Sequence, residues 1–557
     1  MTSVFMLPVS LSAAEHPRLF FSAAEVPKLR EKALTPEGQV IVKRLRELLA
    51  KPVPMEQVQG GETRFAGLWT AGQAFLYTLT GEKAEAEKAR ALADTVVNAP
   101  VIKMQELRRG TRYMGVAIAY DLCYDAWPED YRLKVATYLQ ARAEGLNTGS
   151  EGTGDNDAPQ SNHNVEGRTQ MGVIALAILN DPGVANAGDI VTSARQHLDG
   201  WLSEGVGPHG WGTEGQAFTI NCLNWGVFQF AECYQRIMKT PVTQKESMGW
   251  ILPLLRMQIV GTHVPYYANE VSQWNGCSVF GSAFWVEGIP FSPPAMQPVL
   301  RQFYLERFGL KGPEPLKIVH PAEAIWLLSN LDTSAAPTGA VAALPLSLQD
   351  ERQGYHLFRN RFQDADDCLV VAYLHSKVIR KSWRCSPEIR LWGLGGRWVN
   401  FDPTRFNDKR SATPAAAVTG YTSGSDGSGK VSGKGQSGSF SLAVDYSARS
   451  GCAMVAVFAE DNTEPLTLNL QAEGTVTGKV ITLRGTNGAI FHATLIAPTD
   501  GVFTQNNQQV TAPAASCIVF SLQSGKRPVI PDADGRGARI GNLHITRDGA
   551  KVEFSDK

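Results

Sequence analysis

The hydrophobic period changes once along this chain, and that change limits the folds open to it. From about residue 22 to residue 330, apolar residues recur at three- and four-residue spacing, which places them on one face of successive helices. Beyond about residue 347 they alternate with period two, in short runs separated by Gly, Asn and Asp, as half-buried antiparallel strands do. The length agrees with such a division, since 557 residues exceed what one hydrophobic core usually supports.

Within the first part the pattern reads as helical hairpins. Residues 65–79, closed by Thr80-Gly81-Glu82, precede an alanine-rich partner over 83–98. Similar pairs are 112–124 with 128–144, 164–179 with 189–204, and 219–238 with 247–259. No single hairpin buries its own apolar faces, so the repeats predict a stacked array. Periodicity does not say whether the array closes on itself. The Ala, Pro, Thr and Ser of residues 331–346 mark a linker. Strands are then predicted at 355–359, 368–373, 397–401, 440–444, 454–458 and 517–522, the layout of an antiparallel sandwich. The Gly- and Ser-rich stretch 420–439 is expected to be a mobile loop, and 540–554 a hairpin turning at Arg547-Asp548-Gly549.

Charge narrows the choice of partner. Fifty-three basic against 54 acidic residues, a net charge of -1, make no broad field for nucleic acid or an anionic membrane. An anionic ligand must therefore meet a local cluster. Residues 1–15 hold a short apolar run, Val4 to Val9, followed by small residues, like the end of a secretory signal without its basic start. The alternative is a plain disordered terminus; the signal reading makes the protein periplasmic or secreted. No run reaches the ~20 apolar residues of a membrane span. The eight cysteines show neither C-x-x-C pairs nor metal-ligand spacing and read as buried thiols.

Four segments carry a resemblance. They are His16-Pro17-Arg18-Leu19-Phe20-Phe21 with the following Ala23 to Arg30, Ala117 to Asp125 with its Ala119-Tyr120-Asp121 core, Asn162-His163, and Gly212-Thr213-Glu214-Gly215 about fifty residues later. Together they resemble the heparinase II/III superfamily of polysaccharide lyases, over nearly the whole chain. The resemblance implies an α+β multidomain fold: an N-terminal (α/α) toroid over 16–330, the linker 331–346, an antiparallel β-sandwich over 347–525 and a hairpin or tail over 526–557. It implies a lyase acting on a uronic-acid-containing polysaccharide. This sequence departs from the family pattern twice. Phe218 stands where these lyases place the tyrosine that serves as proton donor, and His375 has no second histidine through residue 388 to make the family's zinc cluster, so no metal or other cofactor is expected.

β-Elimination needs a group to neutralise the uronate carboxylate, a base for the C5 proton and an acid for the leaving oxygen. Asn162 and His163, just before a helical run beginning near Asn164, suit the first two, because exposed N–H groups at a helix start also favour an anion. Alternatively Asn162 or Asn164 only caps the helix. Glu166, three residues on, could orient the imidazole; Arg168 could bind substrate or pair with Glu166. The glycine-rich loop 205–215 brings His209, Trp211 and Glu214 near a ligand, with Trp211 as a stacking surface and Glu214 as acid, base or anchor. Tyr266 or Tyr267, in a turn that continues to Trp274, could replace the missing tyrosine, or both could be core aromatics. Arg108, Arg109, Arg112 and Tyr113 form a basic group, read as a loop before a helix, where an acidic polysaccharide could dock. By the resemblance, His375 and the basic run from Lys377 to Arg384 lean over the same cleft.

Three functions fit these residues: a lyase using Asn162, His163 and one of the two tyrosines, a glycoside hydrolase using Glu166 and Glu214 as its two carboxylates, or a glycan-binding protein without catalysis. In each the partner is an acidic polysaccharide or oligosaccharide and not a nucleic acid.

Overall fold

The computed structural model describes residues 15–54, 65–99, 106–148, 158–213, 216–242, 251, 258–259, 264–265, 281–332, 344–362, 366–374, 388–401, 417–435, 437–446, 452–458, 461–485, 488–524, 530–532, 536–540, 543–548 and 551–556. Its first part consists of helical hairpins. Val26–Ala33 (α1) and Pro36–Leu49 (α2) lead, with the Thr35 hydroxyl accepting from the Gly38 N–H at 3.1 Å to cap α2. Phe65–Thr80 (α3) and Lys83–Val97 (α4) follow, then Glu106–Leu122 (α5) and Glu129–Thr148 (α6), and Asn162–Ala177 (α7) and Ala187–Glu204 (α8). Gln216–Cys222 (α9) runs through a π-helical turn, Leu223–Val227, into Phe228–Met238 (α10). Ser282–Gly288 (α11), Gln297–Phe308 (α12) and Glu323–Asn330 (α13) complete the set. No described helix is long and apolar enough to cross a membrane.

Each hairpin has an inner and an outer helix. Along α7 every residue but His163 is buried, whereas α8 buries one stripe, Ala187, Ile190, Val191, Ala194, Leu198 and Trp201, and leaves its other face to water. Inner helices touch backbone to backbone. A Cβ on Gly67 would lie 2.1 Å from the Arg112 carbonyl oxygen, and one on Gly115 would lie 2.2 Å from the Gly67 backbone, so α3 and α5 meet only because both positions are glycine. Thr111 and Tyr120 of α5 bond Gln170 and Asp181 in that order, so α5 and α7 run in the same direction and start at the same rim. At the far side Phe228 of α10 packs on Phe284 of α11, and α13 packs on α11 and back on α1, α2 and α3. The array therefore closes into a toroid.

Two of the segments that carry the resemblance meet in one buried knot. His16 Nδ1 lies 2.7 Å from Asp121 Oδ1 and its Nε2 3.2 Å from Asp181 Oδ1. The Arg18 and Leu19 N–H groups donate to Asp121 at 3.0–3.1 Å, the Arg18 guanidinium donates to the Ala177 and Leu179 carbonyls and to Asp181, and the Tyr120 hydroxyl donates to Asp181 at 2.7 Å. Burial alone would push the His16 pKa down, but its two carboxylate partners outweigh that and raise it. Burial likewise pushes Asp181 up, yet His16 and Arg18 hold it below the usual carboxylate value. The knot ties the N-terminal segment to the ends of α5 and α7.

The second part is a sandwich of two eight-stranded antiparallel sheets. One runs from Thr504–Asn506 through Gln509–Ala512, Leu466–Leu470, Gly396–Phe401, Glu388–Gly393, Cys368–Tyr373 and Tyr355–Arg359 to Ser347–Asp350. The other runs from Gly474–Thr477 through Val480–Arg484, Ala489–Ala497, Cys517–Ser524, Cys452–Phe458, Ser439–Asp445 and Gly429–Lys434 to Ala417–Ser423. The first sheet is covered on both faces near residues 355–373. Tyr355, Leu357, Leu369, Val371 and Tyr373 join the helical core, while Phe358, Val370 and Ala372 alternate with them into the sandwich. This sheet lies directly on the toroid.

Several expectations need correction. The described residues of 420–439 form paired strands and their turns instead of a mobile loop, because glycines there admit rings: a Cβ on Gly429 would lie 2.5 Å from Phe358, and one on Gly433 2.5 Å from Phe440. The helix expected over 247–259 does not reach its end, since Gln258–Ile259 pair as a strand with Val264–Pro265. Arg108, Arg109, Arg112 and Tyr113 lie within α5 and not in a loop before it. The C-terminal hairpin turns between Asp548 and Lys551 and gains two more strands, Gly537–Ile540 and Ile530–Pro531. Cys123, Cys222, Cys233, Cys368 and Cys517 are buried thiols.

His356, which sequence reasoning passed over, is fully buried in the strand Tyr355–Arg359, 5.5 Å from the Tyr421 ring, and neither ring nitrogen has a partner among the described residues. Burial lowers its pKa to about 4. The unfolded chain therefore takes up a proton near pH 6.5 that the fold refuses, so this residue's contribution is complete above pH 6.5 and is lost as pH falls toward 4, roughly 3 kcal/mol in all. Denaturation midpoints measured from pH 7 to pH 4 should fall less steeply for His356→Leu than for the native chain. Equal slopes would contradict this assignment.

Candidate functional site

The rim at which α5 and α7 start carries Asn162 and His163. Ser161 is the N-cap of α7, extended at φ -77° and ψ 130°, but its side chain makes no capping bond. Asn162 is the first helical residue and 4% exposed, and the Asn164 amide donates to the Ala158 carbonyl at 3.2 Å. Asn162 is thus not the cap, and the Asn164 amide serves the preceding turn. The Ser161 hydroxyl and the Asn164 amide oxygen are buried with no partner among the described residues. His163 is partly exposed, the one residue of α7 that is.

One turn below His163 the fully buried Glu166 accepts from Asn221 Nδ2 at 3.0 Å and from Gln170 Nε2 at 3.4 Å. The Gln170 amide also reaches the Thr111 hydroxyl at 2.9 Å and the Trp225 carbonyl at 2.7 Å. Trp225 sits in the π-helical turn at φ -118° and ψ 16°, where the extra residue turns its carbonyl toward Gln170. Thr111, Gln170, Glu166 and Asn221 thus lock α5, α7 and α9 together beneath the rim. Fully buried and accepting from two amides, Glu166 presents no exposed carboxylate to a glycosidic bond, which counts against its use as one of the hydrolase pair.

Other candidates sit elsewhere than expected. The Arg168 guanidinium donates to the Leu146 carbonyl at 2.9 Å and to the Asn147 carbonyl, closing the end of α6. Arg109, Arg112 and Tyr113 are buried in the wall of the toroid. Arg112 reaches the Thr95 carbonyl at 3.4 Å, and Tyr113 meets the Tyr138 ring edge-on at 5.9 Å. Burial pulls the Arg112 pKa below the ordinary arginine value. Arg108 is partly exposed beside them. Trp211 has no exposed surface to offer a sugar, because it stacks on Tyr355 at 3.9 Å and Tyr355 on Tyr373 at 4.3 Å. The His209 N–H donates to Asp350 at 3.4 Å, and Gln353 donates to Thr213 at 2.9 Å. The loop 205–213 is therefore the joint between toroid and sandwich. Glu214, Tyr266, Tyr267, Trp274 and His375 lie outside the described residues.

Sequence reasoning missed Thr111, Gln170, Asn221 and Trp225. The available signal was an amide inside an apolar helical run: Gln170 precedes Met171 to Leu179, and Asn221 lies between Ile220 and Cys222. The zinc that the resemblance implies would involve His375, which lies outside the described residues; among the described residues no group of three His, Cys, Asp or Glu could hold a metal ion.

No family model matches the sequence, and no curated protein matches it. Solved structures do match in fold. A heparinase III with methylated lysines aligns at TM-score 0.53 and 10% identity, over 96% of this chain and 99% of its own. Another heparinase III aligns at 0.51 and 13%, over 100% and 93%. A mutant heparan sulfate lyase from Pedobacter heparinus aligns at 0.50 and 11%, over 96% and 94%. At these identities the likeness is one of fold, a helical toroid followed by a β-sandwich in the manner of heparinase III.

Proposed function

We propose that this chain is an exported polysaccharide lyase that cleaves a uronic-acid-containing polysaccharide by β-elimination at the rim where α7 begins. The observation that carries the reading is the pair Asn162 and His163, which opens an inner helix without serving as its cap, with the buried Glu166 three residues after His163 bonded to Asn221. In this reading the Asn162 amide donates to the uronate carboxylate and stabilises the negative charge that develops as C5 loses its proton. His163 takes that proton. The electron pair of the C5–H bond becomes the C4=C5 double bond, the C4–O bond breaks, and the leaving oxygen receives a proton from Tyr266 or Tyr267. The fold shared with heparinase III adds support at the level of scaffold alone.

The test is to incubate the protein with glucuronan, alginate and glycosaminoglycans and follow the absorbance of the unsaturated uronate. A rise on at least one of them is expected; none on any would contradict the reading. Glu166 acts here through its neighbours. Glu166→Ala, which strips the acceptor from Asn221 and Gln170, is expected to lower kcat by roughly 5- to 100-fold, the equivalent of about 1–3 kcal/mol. Glu166→Gln, which keeps an oxygen for Asn221, should recover most of that loss, measured as kcat and KM across pH. An alanine variant as active as the native chain would remove Glu166 from the site.

A further inference from the structure

Four rings stand together on the same rim, and no part of the elimination chemistry uses them. Phe65, at the start of α3, and His320, just before α13, are partly exposed and stack at 4.9 Å with 25° between their planes. Beneath them lie the buried Trp225, 5.3 Å from the His320 ring, and Trp69, 6.3 Å from His320 and 6.4 Å from Phe65. Two contacts hold the group in place. The Glu323 carboxyl accepts from the Val319 and His320 N–H groups at 3.0 and 3.2 Å, and the Trp225 carbonyl is held by Gln170, which also bonds the Glu166 that lies a turn below His163.

A second feature points to a ligand. The Trp69 indole N–H is buried and meets no acceptor among the described residues, although a buried indole ordinarily donates. The backbone also departs from helical geometry where it carries Trp225, and π-helical turns of this kind occur often at functional sites.

We propose that Phe65, Trp69, Trp225 and His320 form a subsite that receives one pyranose unit of the substrate, next to the uronate held at Asn162 and His163. Aromatic faces suit the C–H face of a pyranose, which is apolar, and not its carboxylate. The sugar ring packs on Phe65 and His320, and a sugar hydroxyl accepts from the Trp69 indole. The subsite rests on the polysaccharide reading above, but it concerns the sugar that flanks the bond and not the uronate that reacts.

Calorimetric titration of the full-length His163→Ala protein, which blocks turnover, tests it with tetrasaccharides of glucuronan and alginate and with neutral cellotetraose. Phe65→Ala in that background should weaken tetrasaccharide binding roughly tenfold and leave the denaturation midpoint near its starting value. If Phe65→Ala does not fold, His320→Ala at the rim should show the same loss. Unchanged binding in folded variants of both would overturn the subsite and leave the lyase reading standing. Binding of cellotetraose alone, weakened by the same substitutions, would uphold the subsite while the acidic-polysaccharide reading fails. No binding of any of the three sugars would overturn both.

Discussion

Replacing His163 with alanine is expected to lower the rate of unsaturated uronate formation by about a hundred- to ten-thousand-fold, the range that a positioned general base contributes. Folding should be unaffected, because His163 is the partly exposed residue of α7 and its neighbours carry the packing. Asn162→Ala should act on the same step. An amide that meets charge developing on the carboxylate is worth roughly a hundred- to a thousand-fold in kcat when removed, with a smaller effect on KM. Both variants are checked by initial rates on whichever polysaccharide the native chain degrades, beside denaturation midpoints. A His163→Ala protein with native rates would remove the proposed base.

The largest effect on stability is expected at the N-terminal knot. Asp121→Ala leaves the His16 imidazole and the Arg18 and Leu19 N–H groups without their buried acceptor, a loss of about 3–5 kcal/mol. In a helical domain of this size that corresponds to a midpoint about 5–8 °C lower. The knot also sets a pH window. His16 has a raised pKa, so its contribution is complete below its ordinary value of 6.5 and is lost as pH rises through the folded value. Asp181 has a lowered one, so its contribution is complete above its ordinary 3.8 and is lost as pH falls through the folded value. Thermal scans from pH 5 to pH 9 should show the native midpoint falling on the alkaline side and His16→Gln falling less. The same alkaline slope in both proteins would show that His16 is not the titrating group.

How much of this was legible in the sequence depended on how local the cause was. The helix period exposed the hairpins, since amphipathic stripes such as that of α8 are local, but the closure of the ring depends on α13 reaching α1, α2 and α3, nearly three hundred residues away. The segments around His16 and Asp121 were both noticed, yet nothing in either states that they bond across 105 residues. The arginine group read as a loop lies in α5, where a Cβ on Gly110 would lie 1.8 Å from the Gln170 amide oxygen, so that glycine serves helix packing. The glycines of 429–433, in a stretch read as a loop, leave room for aromatic rings within a sheet. Trp211 beside glycines looked like a sugar platform because sequence does not reveal that Tyr355 covers it.

At the candidate site, Asn162, His163 and Glu166 were legible because they are contiguous and carry recognisable chemistry. Asn221 and Gln170 were not, because an amide's partners are set by which helices the fold brings together. The aromatic group around His320 joins α3, the π-helical turn and the start of α13, three elements far apart in the chain.

One measurement bears most directly on the central claim: the number of unsaturated uronate ends formed for each new reducing end when the native protein degrades a uronate polysaccharide. β-Elimination at Asn162 and His163 predicts one unsaturated end per cleavage, with both products slowed together in His163→Ala. New reducing ends without unsaturation would mean hydrolysis, and would contradict the account.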